Sequence, residues 1–163
     1  MGYLLDTNIV SDFVRYRQGD VARRMRERGE ADVLTSIVVA PELRFGAAKR
    51  GVARLARRID EVLARLTVLP LDEPVDRVCA ELRTRPERQG QPLGANDLLI
   101  AATALAGGHT LATADQAFVR IPELPCETGS MRPGVPTRKG ESIRPKVALM
   151  RRRFPGFDHR GRD

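Results

Sequence analysis

The stretch PLGANDLLIAATAL, residues 92–105, is apolar on nearly every side from Leu98 onward, with Thr103 as the interruption. A helix that is apolar all round belongs in a protein core. Asp97 lies at the start of this helix. There a carboxylate can accept hydrogen bonds from the unpaired backbone N–H groups of the first turn, and its charge is favourable at the positive end of the helix dipole. Asn96 or Asp97 is therefore a candidate cap. A further role for Asp97 depends on whether other carboxylates converge on the same place.

Strands and helices alternate on both sides of this buried helix. The sequence predicts short strands at residues 3–5, 31–36, 67–71, 109–113 and 125–128. Helices are predicted between them, including one ended by Gly29, one ended by Gly51 and an amphipathic one over residues 52–66. This alternation predicts an α/β fold with a mostly parallel sheet of four or five strands, flanked by helices.

The pattern also predicts particular caps and core positions. Thr7 or Asn8 is expected to cap the first helix, and Asp20 the second. Inward positions are expected at Ile9, Val10, Phe13 and Val14 in the first helix, at Val52, Leu55, Ala56, Ile59, Val62, Leu63 and Leu66 in the amphipathic one, and at Phe45 and Phe118.

Composition and charge divide the chain in two. The 163 residues carry a formal charge of +7, yet residues 1–127 hold 18 basic and 18 acidic side chains, while residues 128–163 hold 10 against 3. We therefore predict a folded domain over 1–128 and a basic, disordered tail over 129–163. No apolar run is long enough to span a membrane, and no secretory signal is evident, so a cytoplasmic protein is expected. Cys79 and Cys126 lack partners at metal-ligand spacing.

Four acids fall where a predicted strand gives way to a helix: Asp6, Glu42, Asp97 and Asp115. The carboxyl ends of parallel strands meet at one edge of a sheet, where ligands bind. Each acid alone has an ordinary explanation as a cap, a turn residue or a solvated loop residue. Together they would repel one another and raise one another's pKa unless a cation joined them.

An oxygen-only site without histidine or cysteine favours Mg²⁺ or Mn²⁺ over zinc. Such a site suits hydrolysis of a phosphodiester bond. Thr7, Asn8 and Thr113 are candidates for orienting the carboxylates or bound waters, although helix capping is the stronger explanation for all three.

The segments LLDTN (4–8), PELRFGA (41–47), GANDLLIAATAL (94–105) and LATADQAF (111–118) resemble the PIN-domain ribonucleases, and most closely their VapC toxin group. The resemblance covers residues 1–127 in order and spacing. It implies a three-layer PIN-like fold and a Mg²⁺- or Mn²⁺-dependent endoribonuclease toxin whose metal ligands are Asp6, Glu42, Asp97 and Asp115. It also implies a homodimer neutralised by a VapB-like antitoxin. Among members of the family, those that cut tRNA have the most similar sequence segments. Asp115 stands where many members have Asn.

Two alternatives stay open from the sequence. One is a PIN-like module that binds RNA or protein without cutting, and the other is a nuclease acting on DNA. RNA phosphates need positive charge beside the acidic site, and the sequence leaves open which arginines supply it. The cluster in the first two helices is a candidate, with a solvated face as an equal alternative (Arg15, Arg17, Arg23, Arg24, Arg26 and Arg28). Arg54, Arg57, Arg58 and Arg65 are interpreted instead as a solvated face balanced by Asp60 and Glu61.

Overall fold

A computed structural model describes residues 2–29, 32–84 and 93–128. The strands are β1 (Tyr3–Leu5), β2 (Val33–Ser36), β3 (Thr67–Leu69), β4 (Thr110–Thr113) and β5 (Cys126–Thr128). The helices are α1 (Thr7–Arg15), α2 (Asp20–Arg28), α3 (Val39–Arg50), α4 (Ala53–Leu63), α5 (Val75–Thr84) and α6 (Ala95–Ala106), with a 3₁₀ helix at Gln116–Arg120. The predicted tail over 129–163 lies outside the described residues.

The five strands form one sheet in the order β3-β2-β1-β4-β5. Every neighbouring pair is parallel, and Leu4 at the centre is in register with Leu34 on one side and Leu111 on the other. The predicted α/β class is therefore confirmed, with the larger of the two strand numbers. Because all strands run the same way, their carboxyl ends share one edge.

Helices cover both faces of the sheet, which gives three layers. Tyr3 and Leu5 of β1 line a cavity with Ile9 of α1 and Val21 of α2 on one face. On the other face the Ser36 hydroxyl lies 3.4 Å from the Thr103 hydroxyl of α6. Helix α5 packs on α6, while α3 and α4 pack on each other and on α1. Successive side chains of a strand point to opposite faces, which explains this division.

Helix α6 is the buried element that its sequence predicts. Eight of its twelve residues are buried, from Leu98 to Ala106. The one polar member, Thr103, donates its hydroxyl to the Leu99 carbonyl at 2.8 Å, so its burial leaves no unmet donor. The helix begins at Ala95, two residues before Asp97.

Two predicted caps are wrong. Asp6, rather than Thr7 or Asn8, is the N-cap of α1, and its Oδ1 accepts the Ile9 N–H at 2.7 Å. The carboxylate directly after β1 reaches the third amide of the helix, so Thr7 is already helical. Gly19 is the N-cap of α2, and Asp20 lies within the first turn. Gly29 and Gly51 do end α2 and α3, both with positive φ.

Three predicted inward positions are also wrong. Phe45 is 70% exposed, because α3 buries Val39, Ala40, Leu43 and Ala47 and these leave Phe45 on the opposite side of the helix. Val52 is exposed because it precedes α4, which begins at Ala53, and Ala56 is exposed in the first turn of that helix, which buries Ile59, Val62 and Leu63 further along. The inward positions of α1 are confirmed, as is that of Phe118.

Both cysteines are free thiols and half-buried. Burial, with a smaller effect from the charge of Asp6, raises the pKa of the Cys126 thiol to about 11, so this thiol stays protonated at neutral pH. In the described segments, no helix is long and apolar enough to cross a membrane.

Candidate active site

Asp6 is the most deeply buried acid at the carboxyl edge of the sheet, with 3% of its surface exposed. Its two oxygens have different partners: Oδ1 accepts the Ile9 N–H, and Oδ2 accepts the Thr113 hydroxyl. Burial raises its pKa to about 6; these two hydrogen bonds oppose the rise, and the charges of Asp115 and Asp97 add to it. Asp6 is thus held rigidly in a place where its own ionisation is costly without a compensating cation.

Asp97 is the third residue of α6 and lies half-buried beside the same edge. Its carboxylate accepts the backbone N–H of Gly94, the N-cap residue, which is one half of a capping box. The predicted cap at Asn96 or Asp97 is also wrong, because Gly94 is the N-cap of α6 and both residues lie within its first turn. Burial raises the pKa of Asp97, and the charges of Asp115 and Glu42 raise it further.

Gly94 makes this placement of Asp97 possible. A Cβ at position 94 would lie 2.9 Å from Asp97 Oδ2, closer than a side chain tolerates. The glycine lets the carboxylate fold back over the start of α6. The sequence signal was available in GAND, where a glycine stands three residues before the acid.

Glu42 lies in the first turn of α3 and is held from two other helices. The Thr7 hydroxyl of α1 donates to Oε2, and the Asn96 amide of α6 donates to Oε1 at 2.6 Å. Three separate helix starts therefore meet at this carboxylate. The sequence predicts at most a capping role for Asn96, and its partnership with Glu42 depends on the tertiary structure, which brings the starts of α3 and α6 together.

Asp115 follows β4 and is the N-cap of the 3₁₀ helix. Its Oδ1 accepts the Ala117 N–H at 2.8 Å, and its own N–H donates to Thr113 Oγ1 at 3.0 Å. Since the Thr113 hydroxyl in turn donates to Asp6, this threonine links the two acids. Thr7 and Thr113 thus contact site carboxylates, whereas Asn8 is exposed and makes no side-chain hydrogen bond within the described segments.

The structure places all four predicted acids at one edge, near enough that several raise one another's pKa. Their donor set is composed of oxygen alone, which fits a hard divalent ion such as Mg²⁺ or Mn²⁺. The oxygens are now held by the hydrogen bonds described above. Within residues 2–29, 32–84 and 93–128, no three acidic, histidine or cysteine side chains stand in a metal-binding arrangement.

Ion pairs within the described residues engage three of the six candidate RNA-binding arginines, namely Arg17, Arg23 and Arg24. Arg23 pairs with Asp20 at 3.2 Å and with Glu27 at 2.9 Å, and Arg17 pairs with Glu61. Helix α1 leads away from Asp6, so Arg15 lies about 13 Å along the axis from the site. Asp60 pairs with Arg44 of α3 rather than with its own helix.

Comparisons with known proteins identify the family of this chain. The PIN domain family model matches residues 3–124. The chain is 33% identical over 128 residues to Ribonuclease VapC2 of Rickettsia felis, covering 76% of this chain and 95% of that protein. It is 34% identical over 122 residues to Toxin FitB of Neisseria gonorrhoeae, covering 69% of this chain and 86% of that toxin.

A solved structure has a similar fold and a related sequence. The crystal structure of VapBC2 from Rickettsia felis bound to a DNA fragment from their promoter contains a chain that matches with a TM-score of 0.73 and 30% identity. The match covers 80% of this chain and 100% of that one.

Proposed function

Because this chain belongs to the PIN-domain family, as a VapC-type member, we propose that it is a Mg²⁺- or Mn²⁺-dependent endoribonuclease toxin that hydrolyses RNA phosphodiester bonds. The observation that carries the metal-dependent chemistry is the set of four acids at the carboxyl edge. Burial and neighbouring carboxylates both raise the pKa of Asp6 and of Asp97. A fold gains no stability from such crowding, which is expected of a site that takes a cation.

Asp6, Glu42, Asp97 and Asp115 would hold the metal ion. When bound, a divalent ion lowers the pKa of a water ligand and neutralises charge that develops on the phosphate oxygens. The chain's own residues supply the geometry. Thr113 holds Asp6 and the start of the 3₁₀ helix together, while Thr7 and Asn96 fix the two oxygens of Glu42. The buried α6 fixes the backbone that carries Asp97.

The proposed partners follow from the relatives. The matching structures from Rickettsia felis and Salmonella typhimurium are VapBC assemblies bound to DNA. We therefore propose that a VapB-like antitoxin neutralises this chain in the cytoplasm and that the chain forms a homodimer. The RNA is proposed to be a tRNA, on the similarity to tRNA-cutting members noted in the sequence.

Cleavage of total bacterial RNA tests the proposal. Antitoxin-free protein is incubated with Mg²⁺, Mn²⁺ or EDTA, beside Asp6→Asn, Asp97→Asn and the exposed control Asp76→Asn. We expect discrete metal-dependent cuts that Asp6→Asn and Asp97→Asn reduce by a factor of at least about 100, and that the control leaves intact. Circular dichroism checks that each variant is folded.

Two results would contradict the proposal. Full cleavage by Asp6→Asn would show that the acid set is not the site. Absence of cleavage with every metal, together with RNA binding and no heat of Mn²⁺ binding at millimolar concentration, would favour a binding module that does not cut. Preferential cutting of single-stranded DNA in a competition assay would instead identify a DNA nuclease.

A further inference from the structure

Phe45 is the most exposed large apolar side chain of the described residues, at 70%, followed by Tyr16 at 63%. A single exposed phenylalanine is ordinary on a protein surface. The position of Phe45 is less ordinary, because it lies one helical turn after Glu42 on α3. Side chains three and four residues apart share a face of a helix, so the ring lies beside Glu42 at the carboxyl edge of the sheet.

Three other residues share this face of α3 with Phe45. Glu42, Phe45, Gly46 and Lys49 fall within an arc of about 100° around the helix, because each residue turns the chain by about 100°. The face therefore presents an acid, an aromatic ring, a gap and a cation in order. We call this set the α3 strip. Lys49 has no carboxylate partner within the described segments, whereas Arg44 on another side of α3 pairs with Asp60.

Gly46 is the gap in the strip. A Cβ added there would meet nothing within 4 Å, so no neighbouring element requires a glycine for packing. The residue lies inside a helix, where glycine costs about 1 kcal/mol relative to alanine. Its backbone is not in the left-handed region, since positive φ occurs in described glycines only at positions 29, 51 and 108. The space that the side chain would fill is open beside Phe45.

These observations fit single-stranded nucleic acid. Proteins bind it with aromatic rings on which bases stack and with cations that meet the phosphates. The strip offers one of each, starting at the proposed cleavage site and extending about 10 Å along the helix axis to Lys49. A purely apolar protein partner would contact Phe45 but would not account for the open space at Gly46, nor for the charge of Lys49, which no carboxylate of the described residues pairs.

We propose that a nucleobase of the RNA stacks on Phe45 over the open backbone at Gly46, with the adjoining phosphate held by Lys49. The proposal rests on the proposed RNA-cleaving function and adds a residue that selects single-stranded RNA beside the cut. Phe45 is then a substrate-binding residue, separate from the acids that perform the hydrolysis.

A fluorescence titration tests the stack directly, because the chain contains no tryptophan. Phe45→Trp, in an Asp97→Asn background and in EDTA, places an indole at the proposed stacking position without cleavage of the probe. The probe is a labelled mixed-sequence single-stranded RNA of 12 nucleotides, whose anisotropy reports binding independently. Tyr16→Trp in the same background is the matched control, since Tyr16 is similarly exposed but lies at the far end of α1.

We expect the indole introduced by Phe45→Trp to be quenched in step with the rise in anisotropy, and the control indole to be unaffected. An abasic strand of equal length should bind without quenching. RNA binding with no quenching at position 45 would overturn the proposal while leaving the nuclease function standing. A blue shift of the indole emission that grows with protein concentration would overturn it too, because it would show that a second copy of the chain covers the ring. Val52→Ser, at another exposed apolar side chain, checks that case.

Kinetics give an independent readout with the active chain. Phe45→Ala should raise KM between about 5- and 150-fold with kcat nearly unchanged, and Phe45→Trp should restore it. Gly46→Leu should raise KM in the same way by filling the gap. If wild-type protein neither binds the 12-nucleotide probe nor cuts any RNA, both the nuclease proposal and this one fail; quenching without cleavage by the wild type would sink the nuclease alone.

Discussion

Helices α6 and α3 each bring one carboxylate to the same edge of the sheet, yet they are held there by different forces. Eight of twelve residues are buried in α6, and four of twelve in α3. The core fixes the backbone under Asp97, whereas two hydrogen bonds from neighbouring helices fix Glu42. The difference shows that one site can combine a carboxylate on a buried helix with a carboxylate that hydrogen bonds fix on a less buried helix.

Truncating one large side chain on each helix should lower the free energy of unfolding much more on α6 than on α3. Ile100 on α6 is 1% exposed, so Ile100→Ala should lower the free energy of unfolding by about 2–5 kcal/mol through the cavity it leaves. Phe45→Ala on α3 should change it by less than about 0.5 kcal/mol. Urea unfolding measures both. Equal losses in the two variants would mean that α3 is covered in solution.

Removing the buried charge beneath both helices should stabilise the metal-free protein at alkaline pH. Burial raises the pKa of Asp6 in the folded protein from its ordinary 3.8 to about 6, so its contribution to stability is complete below pH 3.8 and is lost as the pH rises through 6. In EDTA at pH 8, the free energy of unfolding of Asp6→Asn should therefore exceed that of the wild type by up to about 3 kcal/mol. The difference between the two proteins should close near pH 4.

Unfolding curves at both pH values measure that gap, with the exposed Asp76→Asn as the control for a lost carboxylate. Adding Mn²⁺ should stabilise the wild type alone and narrow the gap at pH 8. A gap of the same size at pH 4 and pH 8 would show that ionisation of Asp6 is not its source.

Glycines on the two helices should respond in opposite ways. Gly94→Ala places a Cβ 2.9 Å from Asp97 Oδ2 and so displaces the carboxylate. We expect a loss of about 10- to 100-fold in Mn²⁺ affinity or cleavage rate, with a native circular dichroism spectrum, as for other changes beside a metal ligand. Calorimetry and cleavage assays measure it, and unchanged affinity would mean that Asp97 tolerates the methyl group.

Gly46→Ala should have the smallest effect, and a favourable one. The new methyl group meets nothing within 4 Å, so helix propensity should raise the free energy of unfolding by up to about 1 kcal/mol. Gly51→Ala is the matched control at the end of the same helix. Its φ of 64° makes alanine strained there, so that variant should lose stability. A loss in Gly46→Ala would reveal a neighbour for α3.

Much of the fold follows from local patterns that tertiary packing did not override. The inward set of α1 matches the structure because Ile9, Val10, Phe13 and Val14 repeat with the helical period. The short strands are β-branched or leucine-rich segments between turn residues, and their alternation with helices requires a parallel sheet. The same rule places Asp6 and Asp115 at one edge, since Asp6 directly follows β1, Asp115 comes two residues after β4, and these two strands pair in parallel.

Errors arose where a residue's type outweighed its position in the helical period. The aromatic character of Phe45 predicts a core position, whereas Val39, Leu43 and Ala47 define the buried side of α3 and leave Phe45 opposite. Counting the period would have found it. The partnership of Asn96 with Glu42 carried no such signal, because the two residues are 54 positions apart.

By itself the sequence determined the element order, the parallel sheet and the edge at which four acids collect, because hydrophobic periodicity and strand direction are local properties that the topology rules convert into position. Only the tertiary structure decided how the acids are held. Thr113 joins Asp6 to the segment after β4, and Asn96 joins α6 to α3, through contacts between residues far apart in the chain. Side-chain hydrogen bonds reach only about 3 Å, so they depend on packing that no local pattern specifies.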